Sequence, residues 1–210
     1  IGAFCEREDV RDVFIPHPEN PIRKLLSQPN RSKVATGSLR RKCQLLNVRP
    51  DFQIIEIRGN LNTRMKKLEE SDWAGMILAC AGVVRLGWVD KIGETLDPKF
   101  ILPAVGQGAL GIEIRERDAK IAAYVSKLHH EPTSQAALAE RALLHRLEGG
   151  CQVPIGTYGR IVNGCLELDA IVGSLDGKTI VKGTTSGSPS EADSLGTRLA
   201  ERLLLDGADQ

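Results

Sequence analysis

The stretch that decides the fold is residues 33–86, which read KVATGSLRRKCQLLNVRPDFQIIEIRGNLNTRMKKLEESDWAGMILACAGVVRL. Short apolar runs alternate here with amphipathic stretches, a pattern typical of strands and helices in succession and therefore of a mostly parallel sheet. The pattern predicts three strands and three helices: strands at Lys33–Thr36, Gln53–Ile57 and Gly75–Ala79, and helices at Ser38–Asn47, Asn60–Glu69 and Ala81–Leu86.

Beyond this stretch the sequence predicts two further parts, each with its own pattern of strands and helices. The alternation of Ile112 and Ile114 with charged residues predicts a strand over Gly108–Glu116, and helical spacing then predicts helices over Ala119–Leu128 and Thr133–Leu147, the second capped by Thr133. After Gly150 the sequence predicts a small α+β unit. It has three strands joined by turns, followed by a closing helix: Ile155–Ile161, Cys165–Val172 and Thr179–Thr185, turns at Asn163-Gly164 and Asp176-Gly177, and helix Glu191–Leu205.

Composition excludes several classes of protein. The 210 residues are 41% hydrophobic and 26% charged, as in ordinary globular proteins. The longest apolar stretch, Met76 to Val84, is too short for a membrane helix. The five cysteines form no C-x-x-C pair, so neither a disulfide scaffold nor a zinc cage is expected, and a reducing compartment is favoured. Because Ile1 begins without an initiator Met or targeting pattern, we expect a fragment.

Charge is distributed unevenly along the chain. The basic segment, which we define as Pro21–Lys67, holds twelve Lys and Arg against two acids, whereas the net charge of the whole chain is only +1. The remainder of the chain is therefore acidic. Such a local surplus predicts an anionic partner for the basic segment.

Two strand-to-helix turns in the basic segment are candidate anion sites. Residues 34–41 and 55–64 each end a strand in small or capping residues and open a helix with arginine in or near its first turn. Backbone N–H groups, the positive end of the helix dipole and guanidinium groups converge in such turns, at the sheet edge where open α/β folds bind ligands. The alternative is that these arginines are solvated or pair with local carboxylates.

Other motifs in the sequence have weaker interpretations. Gly106-Gln107-Gly108-Ala109-Leu110-Gly111 fits G-x-G-x-x-G, but the expected following element is a strand and not the helix that a dinucleotide site needs. Nucleic acid remains an alternative partner for the basic segment, although Phe52 is its only aromatic residue and base-stacking platforms are scarce. His129-His130-Glu131 is too compact to form a metal site alone.

Cys151 stands apart from the other cysteines. It follows Gly149 and Gly150 and precedes Pro154, in a loop where a thiol could be exposed. No neighbouring His or Lys is available to lower its pKa, so an inert structural thiol remains an alternative.

Four motifs, in order and spread over essentially the whole chain, strongly resemble the porphobilinogen deaminase (hydroxymethylbilane synthase) family. They are Gly37-Ser38-Leu39-Arg40-Arg41, Ile57-Arg58-Gly59-Asn60-Leu61-Asn62-Thr63-Arg64, Ala104-Val105-Gly106-Gln107-Gly108-Ala109-Leu110-Gly111 and Leu147-Glu148-Gly149-Gly150-Cys151-Gln152-Val153-Pro154. The resemblance implies an enzyme of tetrapyrrole biosynthesis. It would join four porphobilinogen molecules head to tail, with release of ammonia, to give the linear tetrapyrrole hydroxymethylbilane.

The resemblance also implies a covalent dipyrromethane primer, held by a thioether at Cys151. Carboxylates of the primer and the growing chain would be bound by residues of the two turns and of the glycine-rich stretch: Arg40, Arg41, Arg58, Arg64, Arg85, Thr36, Ser38, Ala79, Gln107 and Gly108. No metal is expected. Arg40→Leu or Arg41→Leu should then cost primer binding or elongation more than folding.

The family's catalytic aspartate, which handles pyrrole N–H protons in the first domain, has no match among these residues. The 210-residue chain alone is therefore expected to be inactive. The implied division is a remnant of domain 1 (1–9), a basic cleft domain 2 (10–102), a hinge and returning segment of domain 1 (103–128) and a cofactor-bearing domain 3 (129–210).

Domain 2 is expected to be a doubly wound α/β domain similar to anion-binding periplasmic proteins, and domain 3 a small α+β domain with a three-stranded sheet. A monomer in the cytoplasm, or in a plastid if the source is a plant, with no nucleic-acid or membrane partner, completes this expectation. A non-catalytic anion-binding module on the same scaffold is the alternative.

Overall fold

The computed structural model describes residues 1–147 and 153–208. Its strands and helices follow in the order β1 (Ala3–Phe4), β2 (Asp12–Pro16), β3 (Lys33–Ala35), α1 (Leu39–Val48), β4 (Gln53–Ile55), α2 (Leu61–Glu69), β5 (Gly75–Ala79), α3 (Cys80–Arg85), β6 (Glu94–Thr95), β7 (Gly111–Ile112), α4 (Ala119–Val125), α5 (Glu131–Arg146), β8 (Ile155–Val162), β9 (Cys165–Gly173), β10 (Ile180–Gly187) and α6 (Ala192–Leu203). The chain is a mixed α/β protein with several sheets.

The larger sheet has five strands in the order β4-β3-β5-β2-β6. Strand β3 pairs in parallel with β4 and β5, whereas β2 runs antiparallel to both β5 and β6. The three predicted strands are thus parallel, as expected, and both antiparallel pairings involve β2, which lies outside the stretch that predicted the sheet. The apolar run of β2 carries no sign of its direction, because direction is set by the connection that delivers a strand and not by its residues.

Helices cover both faces of this sheet. Alternation along β2 sends Val13 and Ile15 to one face and Phe14 to the other. Val13 and Ile15 join a buried cluster that includes residues of α2 and α3, while Phe14 packs in a second cluster with Leu45 of α1. The helices that follow β3 and β4 in the chain therefore lie on opposite faces, and their amino-terminal ends stay near one edge of the sheet.

The α+β unit contains a three-stranded antiparallel sheet in the order β10-β9-β8, with α5 and α6 packed against each other and against the sheet. The predicted Asn163-Gly164 turn is confirmed. Val162 pairs with Cys165, and both turn residues have positive φ angles, +50° and +78°. Such angles are those of the tight turns that match strand twist, which explains the Asn-Gly pair.

Gly196 sets how closely α6 approaches α5. A methyl group at this position would overlap the carbonyl oxygen of Ala139 and lie 2.9 Å from the backbone nitrogen of Leu143. We expect Gly196→Ala to lower the free energy of unfolding by about 1–3 kcal/mol, because a packed backbone cannot yield to the added atom.

Urea unfolding of the purified protein checks this expectation. Gly82→Ala is the matched control, since Gly82 also lies in a helix and its added methyl group meets only the flexible end of Leu61, at 3.1 Å. The control should be neutral or stabilising by up to about 1 kcal/mol. Equal effects of the two substitutions would show that close helix packing does not explain Gly196.

Several predicted elements differ in extent. The strand predicted over Gly108–Glu116 is only Gly111–Ile112, paired with β1. Thr133 is not the cap of α5, because the helix begins at Glu131 with Pro132 in its first turn. The Thr133 hydroxyl oxygen instead accepts a hydrogen bond from the backbone N–H of Arg7 at 3.1 Å. Strands β2 and β6 were not predicted. No helix among the described residues is long and apolar enough to cross a membrane.

Candidate functional site

Two loops meet at one edge of the five-stranded sheet. Because β3 is parallel to β4 and β5, the carboxyl ends of these three strands share that edge. The backbone N–H of Thr36 donates to the carbonyl of Ile55 at 2.9 Å, and a side chain at Gly37 would overlap the carbonyl oxygen of Ile57. Gly37 is therefore required for the close approach of the two loops.

The two turns are built by helix caps. Ser38 caps α1, its hydroxyl oxygen accepting from the backbone N–H of Arg41 at 3.4 Å, and Thr36 accepts from the N–H of Ser38 at 3.2 Å. Asn60 caps α2 by accepting from the N–H of Thr63 at 2.9 Å. Each of the two hydroxyl groups keeps its own O–H to donate to a ligand. Thr36 and Ser38 can therefore both cap the chain and bind an anion.

Arg40 and Arg41 are buried and share one carboxylate. Arg40 Nη1 lies 2.9 Å from Asp12 Oδ2, and Arg41 Nη2 lies 2.8 Å from Asp12 Oδ1. Asp12 is fully buried. Local carboxylates were one alternative as partners of these arginines, but the partner is 28 or 29 residues away in the chain. The Nε atoms of both arginines are buried without an acceptor among the described residues.

Gln107 completes this group of side chains. Its Nε2 donates to Asp12 Oδ1 at 2.8 Å and to the carbonyl of Val10 at 2.7 Å, and its Oε1 accepts from Arg40 Nη2 at 3.3 Å. The structure thus brings the predicted site residues Arg40, Arg41 and Gln107 into one group. It places the amide of Gln107 on Asp12, so its contacts here are internal ones.

The pKa values of this group follow from burial and charge. Burial alone would raise the pKa of Asp12, but attraction to Arg41 and Arg40, with their hydrogen bonds, holds it below its ordinary value. Burial lowers the pKa of Arg40, opposed by attraction to Asp12. Asp12 therefore stays ionised at neutral pH.

Arg64 and Arg58 extend the positive charge towards solvent, and we call Arg40, Arg41, Arg58 and Arg64 the arginine group. Burial and repulsion by Arg41 and Arg58 lower the pKa of Arg64, so both of these guanidinium groups are close enough to repel that of Arg64. Arg64 Nε donates to the carbonyl of Gly59 at 2.8 Å, and it forms no ion pair with a described residue. Arg58 pairs with Glu56, but both side chains are mostly exposed, so this pair neutralises little. An added anion would relieve the repulsion.

The other predicted site residues lie in three places. Ala79 ends β5 opposite Asp12 in the sheet, beside the arginine group. Gly108 has φ +81°, and its carbonyl accepts from the N–H of Glu8 at 3.0 Å, in the loop that carries Gln107. Arg85 is exposed in the last turn of α3, and no ion pair or hydrogen bond joins it to the arginine group within the described part of the chain. Cys151 lies outside the described residues.

A second buried ion pair was missed by sequence reasoning. Arg7 forms a bidentate contact with Glu140 of α5, at 2.7 and 3.1 Å, and its Nε donates to the carbonyl of Gln107 at 2.9 Å. The backbone N–H groups of Gly106 and Gly159 also donate to Glu140, at 2.6 and 2.7 Å. We call these contacts the Arg7–Glu140 junction. It joins the amino-terminal segment, the glycine-rich loop and the α+β unit.

A separate cavity of about 990 Å³ lies between residues 7–11, the 97–102 loop, α5 and strands β8–β10. None of the predicted site residues lines it. Arg7, Arg11 and Arg160 reach it, and each of them is already paired with a carboxylate. Lys99 and Lys182 also line it, together with Glu8, Asp9, Asp97 and Asp169, so the cavity carries charges of both signs. No cluster of His, Cys, Asp or Glu suited to a metal is found among residues 1–147 and 153–208.

Comparison with known proteins gives the family. A model described as porphobilinogen deaminase, dipyromethane cofactor binding domain, matches residues 1–123, and one described as the C-terminal domain of porphobilinogen deaminase matches residues 134–205. The chain belongs to the porphobilinogen deaminase family. Curated relatives with that name include proteins of Carboxydothermus hydrogenoformans (51% identical over 210 residues), Chlorobium luteolum (50% over 214) and Chlorobaculum parvum (49% over 213). Each match covers all of this chain and 67% of the relative.

Proposed function

We propose that this chain functions in the reaction of its family, that of a hydroxymethylbilane synthase. Four porphobilinogen molecules are joined head to tail, ammonia is released at each step, and a linear tetrapyrrole results. Family membership supports this enzymatic function and not the non-catalytic anion-binding module considered as an alternative.

The observation that carries the proposal is the arginine group at the sheet edge. Arg41 and Arg58 both repel Arg64, and Asp12 supplies a single negative charge to the buried pair of Arg40 and Arg41. Every porphobilinogen unit brings an acetate and a propionate. Fixed guanidinium groups are well suited to bind carboxylates, since their N–H groups match both carboxylate oxygens.

The residues present fit a dipyrromethane cofactor. The family model for residues 1–123 is named for binding it, and those residues contain the whole arginine group, whose surplus charge suits the carboxylates of a dipyrromethane. When bound, the cofactor supplies the free pyrrole end to which the first substrate is joined. We propose that Arg41, Arg58 and Arg64 hold its side-chain carboxylates and that the hydroxyl groups of Thr36 and Ser38 donate to them.

We further propose that Cys151 anchors this cofactor through a thioether. Cys151 falls within the match to the C-terminal domain, so the residue of attachment and the residues of non-covalent binding lie in different parts of the chain. Helix α5, which ends at Arg146, leads directly into the segment that contains Cys151. Its junction with Arg7 and Gln107 ties that helix to the loop beside the arginine group.

The finer architecture is also part of the proposal. The division into residues 1–9, 10–102, 103–128 and 129–210 is retained, with 10–102 as a doubly wound domain similar to anion-binding periplasmic proteins. Helices on both faces of the five-stranded sheet support this description.

The free cysteines among the described residues, Cys5, Cys43, Cys80 and Cys165, support a reducing compartment such as the cytoplasm. The family resemblance further implies a monomer without nucleic-acid or membrane partners.

None of the 210 residues matches the family's catalytic aspartate, so we place proton handling at the pyrrole N–H outside them. The test therefore uses the full-length protein, meaning the longest natural chain that contains this sequence. Incubated with porphobilinogen, it should release four ammonia molecules for each hydroxymethylbilane formed. Binding of porphobilinogen without ammonia release would instead favour the non-catalytic module. Tight, salt-sensitive binding of arbitrary DNA or RNA without turnover would favour a nucleic-acid-binding protein.

A further inference from the structure

We propose that Asp12 is a positioning residue for the carboxylate-binding site, setting the orientation of Arg40, Arg41 and Gln107 without itself touching the ligand. This inference rests on the proposed function, because it concerns how the same site binds pyrrole carboxylates.

The contacts of Asp12 are those of a central acceptor. Its Oδ2 accepts from Arg40 Nη1 at 2.9 Å, and its Oδ1 accepts from Arg41 Nη2 at 2.8 Å and from Gln107 Nε2 at 2.8 Å. The side chain is 0% exposed. One carboxylate thereby fixes three side chains that arrive from two separate segments of the chain.

The fold explains why Asp12 can do this. Strand β2 runs antiparallel to β5, so its first residue, Asp12, pairs with Ala79, the last residue of β5. Asp12 therefore reaches the edge where β3 and β5 end and where α1 begins with Arg40 and Arg41. Because β2 is antiparallel to β5, it begins at the edge of the sheet where β3 and β5 end. The acidic side chain of Asp12 therefore lies beside the N-terminus of α1.

Asp12 orients the arginines without neutralising them. Two guanidinium groups share one carboxylate, so the buried group keeps a positive charge, to which Arg64 adds. Arg41 Nη1 is held as well, donating to the carbonyl of Ile77 at 3.1 Å. A group fixed in this way loses little conformational freedom when a ligand carboxylate binds, which favours binding.

The amide of Gln107 is oriented by the same contact. With Nε2 directed at Asp12 and at the carbonyl of Val10, Oε1 faces Arg40. We therefore assign Gln107 a positioning role as well. Loss of the Asp12 carboxylate would free the amide to rotate and would leave the two guanidinium groups to repel each other.

The first test is Asp12→Glu in the full-length enzyme, which keeps the charge and moves the carboxylate by one methylene group. We expect the KM for porphobilinogen to rise about tenfold or more while kcat changes less, since displacement of binding groups by about 1 Å can cost up to about 100-fold. Asp51→Asn is the control, because Asp51 forms a half-buried pair with Arg49 on another edge of the domain. It should leave KM unchanged.

The second test separates positioning from charge and from folding. Asp12→Asn combined with Arg40→Gln leaves the local net charge as in the wild type, so the variant avoids two unbalanced buried cations. Its KM should exceed that of Arg40→Gln alone by about tenfold or more. Circular dichroism confirms folding of each variant. An Asp12→Glu enzyme with the wild-type KM, or a double variant matching Arg40→Gln, would overturn the positioning role. A wild-type enzyme that converts no porphobilinogen would instead overturn the proposed function.

Discussion

Replacing Glu140 with glutamine is expected to lower the free energy of unfolding of the full-length protein by about 3–5 kcal/mol, because it leaves the charge of Arg7 buried without a counterion. The Arg7 side chain is only 10% exposed and that of Glu140 is 0% exposed. Water therefore cannot replace the lost carboxylate. The NH2 group of glutamine would also replace one carboxylate oxygen, and it would then face N–H donors that need an acceptor.

The size of this effect follows from how many groups depend on Glu140. Its two oxygens accept from both terminal nitrogens of Arg7 and from the backbone N–H groups of Gly106 and Gly159. These donors belong to three separate segments of the chain. We expect the α+β unit to lose its fixed attachment to the glycine-rich loop when the carboxylate is removed.

Urea unfolding of the wild type, Glu140→Gln and Glu201→Gln measures the loss in the free energy of unfolding. Glu201 is the matched control, since it also pairs with an arginine across two elements, Arg146, but both side chains are about half exposed. An exposed pair is worth about 0–1 kcal/mol. If Glu140→Gln cost no more than the control, the Arg7–Glu140 junction would not be the stabilising link described above.

Replacing Arg64 with methionine should reduce kcat/KM for porphobilinogen by about 10- to 100-fold with little change in stability. A hydrogen bond to a charged group is worth about 1.5–3 kcal/mol, and loss of that much transition-state stabilisation gives a rate effect of this order. Arg64 is only partly buried and is repelled by Arg41 and Arg58. Removing its charge relieves the electrostatic repulsion of Arg64 by Arg41 and Arg58, so stability should change little. The same substitution removes the proposed contact with a ligand carboxylate.

Lys66→Met is the control for this prediction. Lys66 lies on the same helix, carries the same charge and pairs at 3.7 Å with Glu70 in an exposed position. Steady-state kinetics and thermal unfolding of both variants should show lost activity only for Arg64→Met. Equal kinetics in the two variants would exclude Arg64 from the carboxylate site.

Arg40 and Arg41 are less suitable for this experiment. The sequence predicts that their replacement by leucine affects primer binding more than folding. The structure shows that each also balances the buried carboxylate of Asp12. We therefore expect both stability and binding to suffer, because Asp12 would keep only one of its two cationic partners.

Local signals explain what the sequence could predict. Strand β5 is found with the predicted bounds, Gly75–Ala79, because its continuous apolar run is that of a strand buried on both faces. Helix α2 follows its Asn60 cap, and the β8–β9 turn follows Asn163-Gly164. The convergence of Arg40, Arg41 and Gln107 was implied by family resemblance and not by any local pattern.

Long-range pairing explains what the sequence could not predict. Strands β1 and β6 have two residues each, too few for a periodic signal. Glu140 is 133 residues from Arg7, and an acid within a helix is usually solvated. For Asp12 one signal existed: an acidic residue directly precedes the apolar run Val13–Ile15, and buried acids need cationic partners.

The central claim is that the chain holds a covalent dipyrromethane at Cys151. The most direct test is the intact mass, measured after denaturation, of the full-length protein beside its Cys151→Ser variant. Denaturation releases anions that are merely bound but leaves a thioether intact. We expect the wild type to carry the added mass of one dipyrromethane and the variant to lack it. A wild-type protein with turnover but no added mass, or an added mass that persists in Cys151→Ser, would contradict the claim.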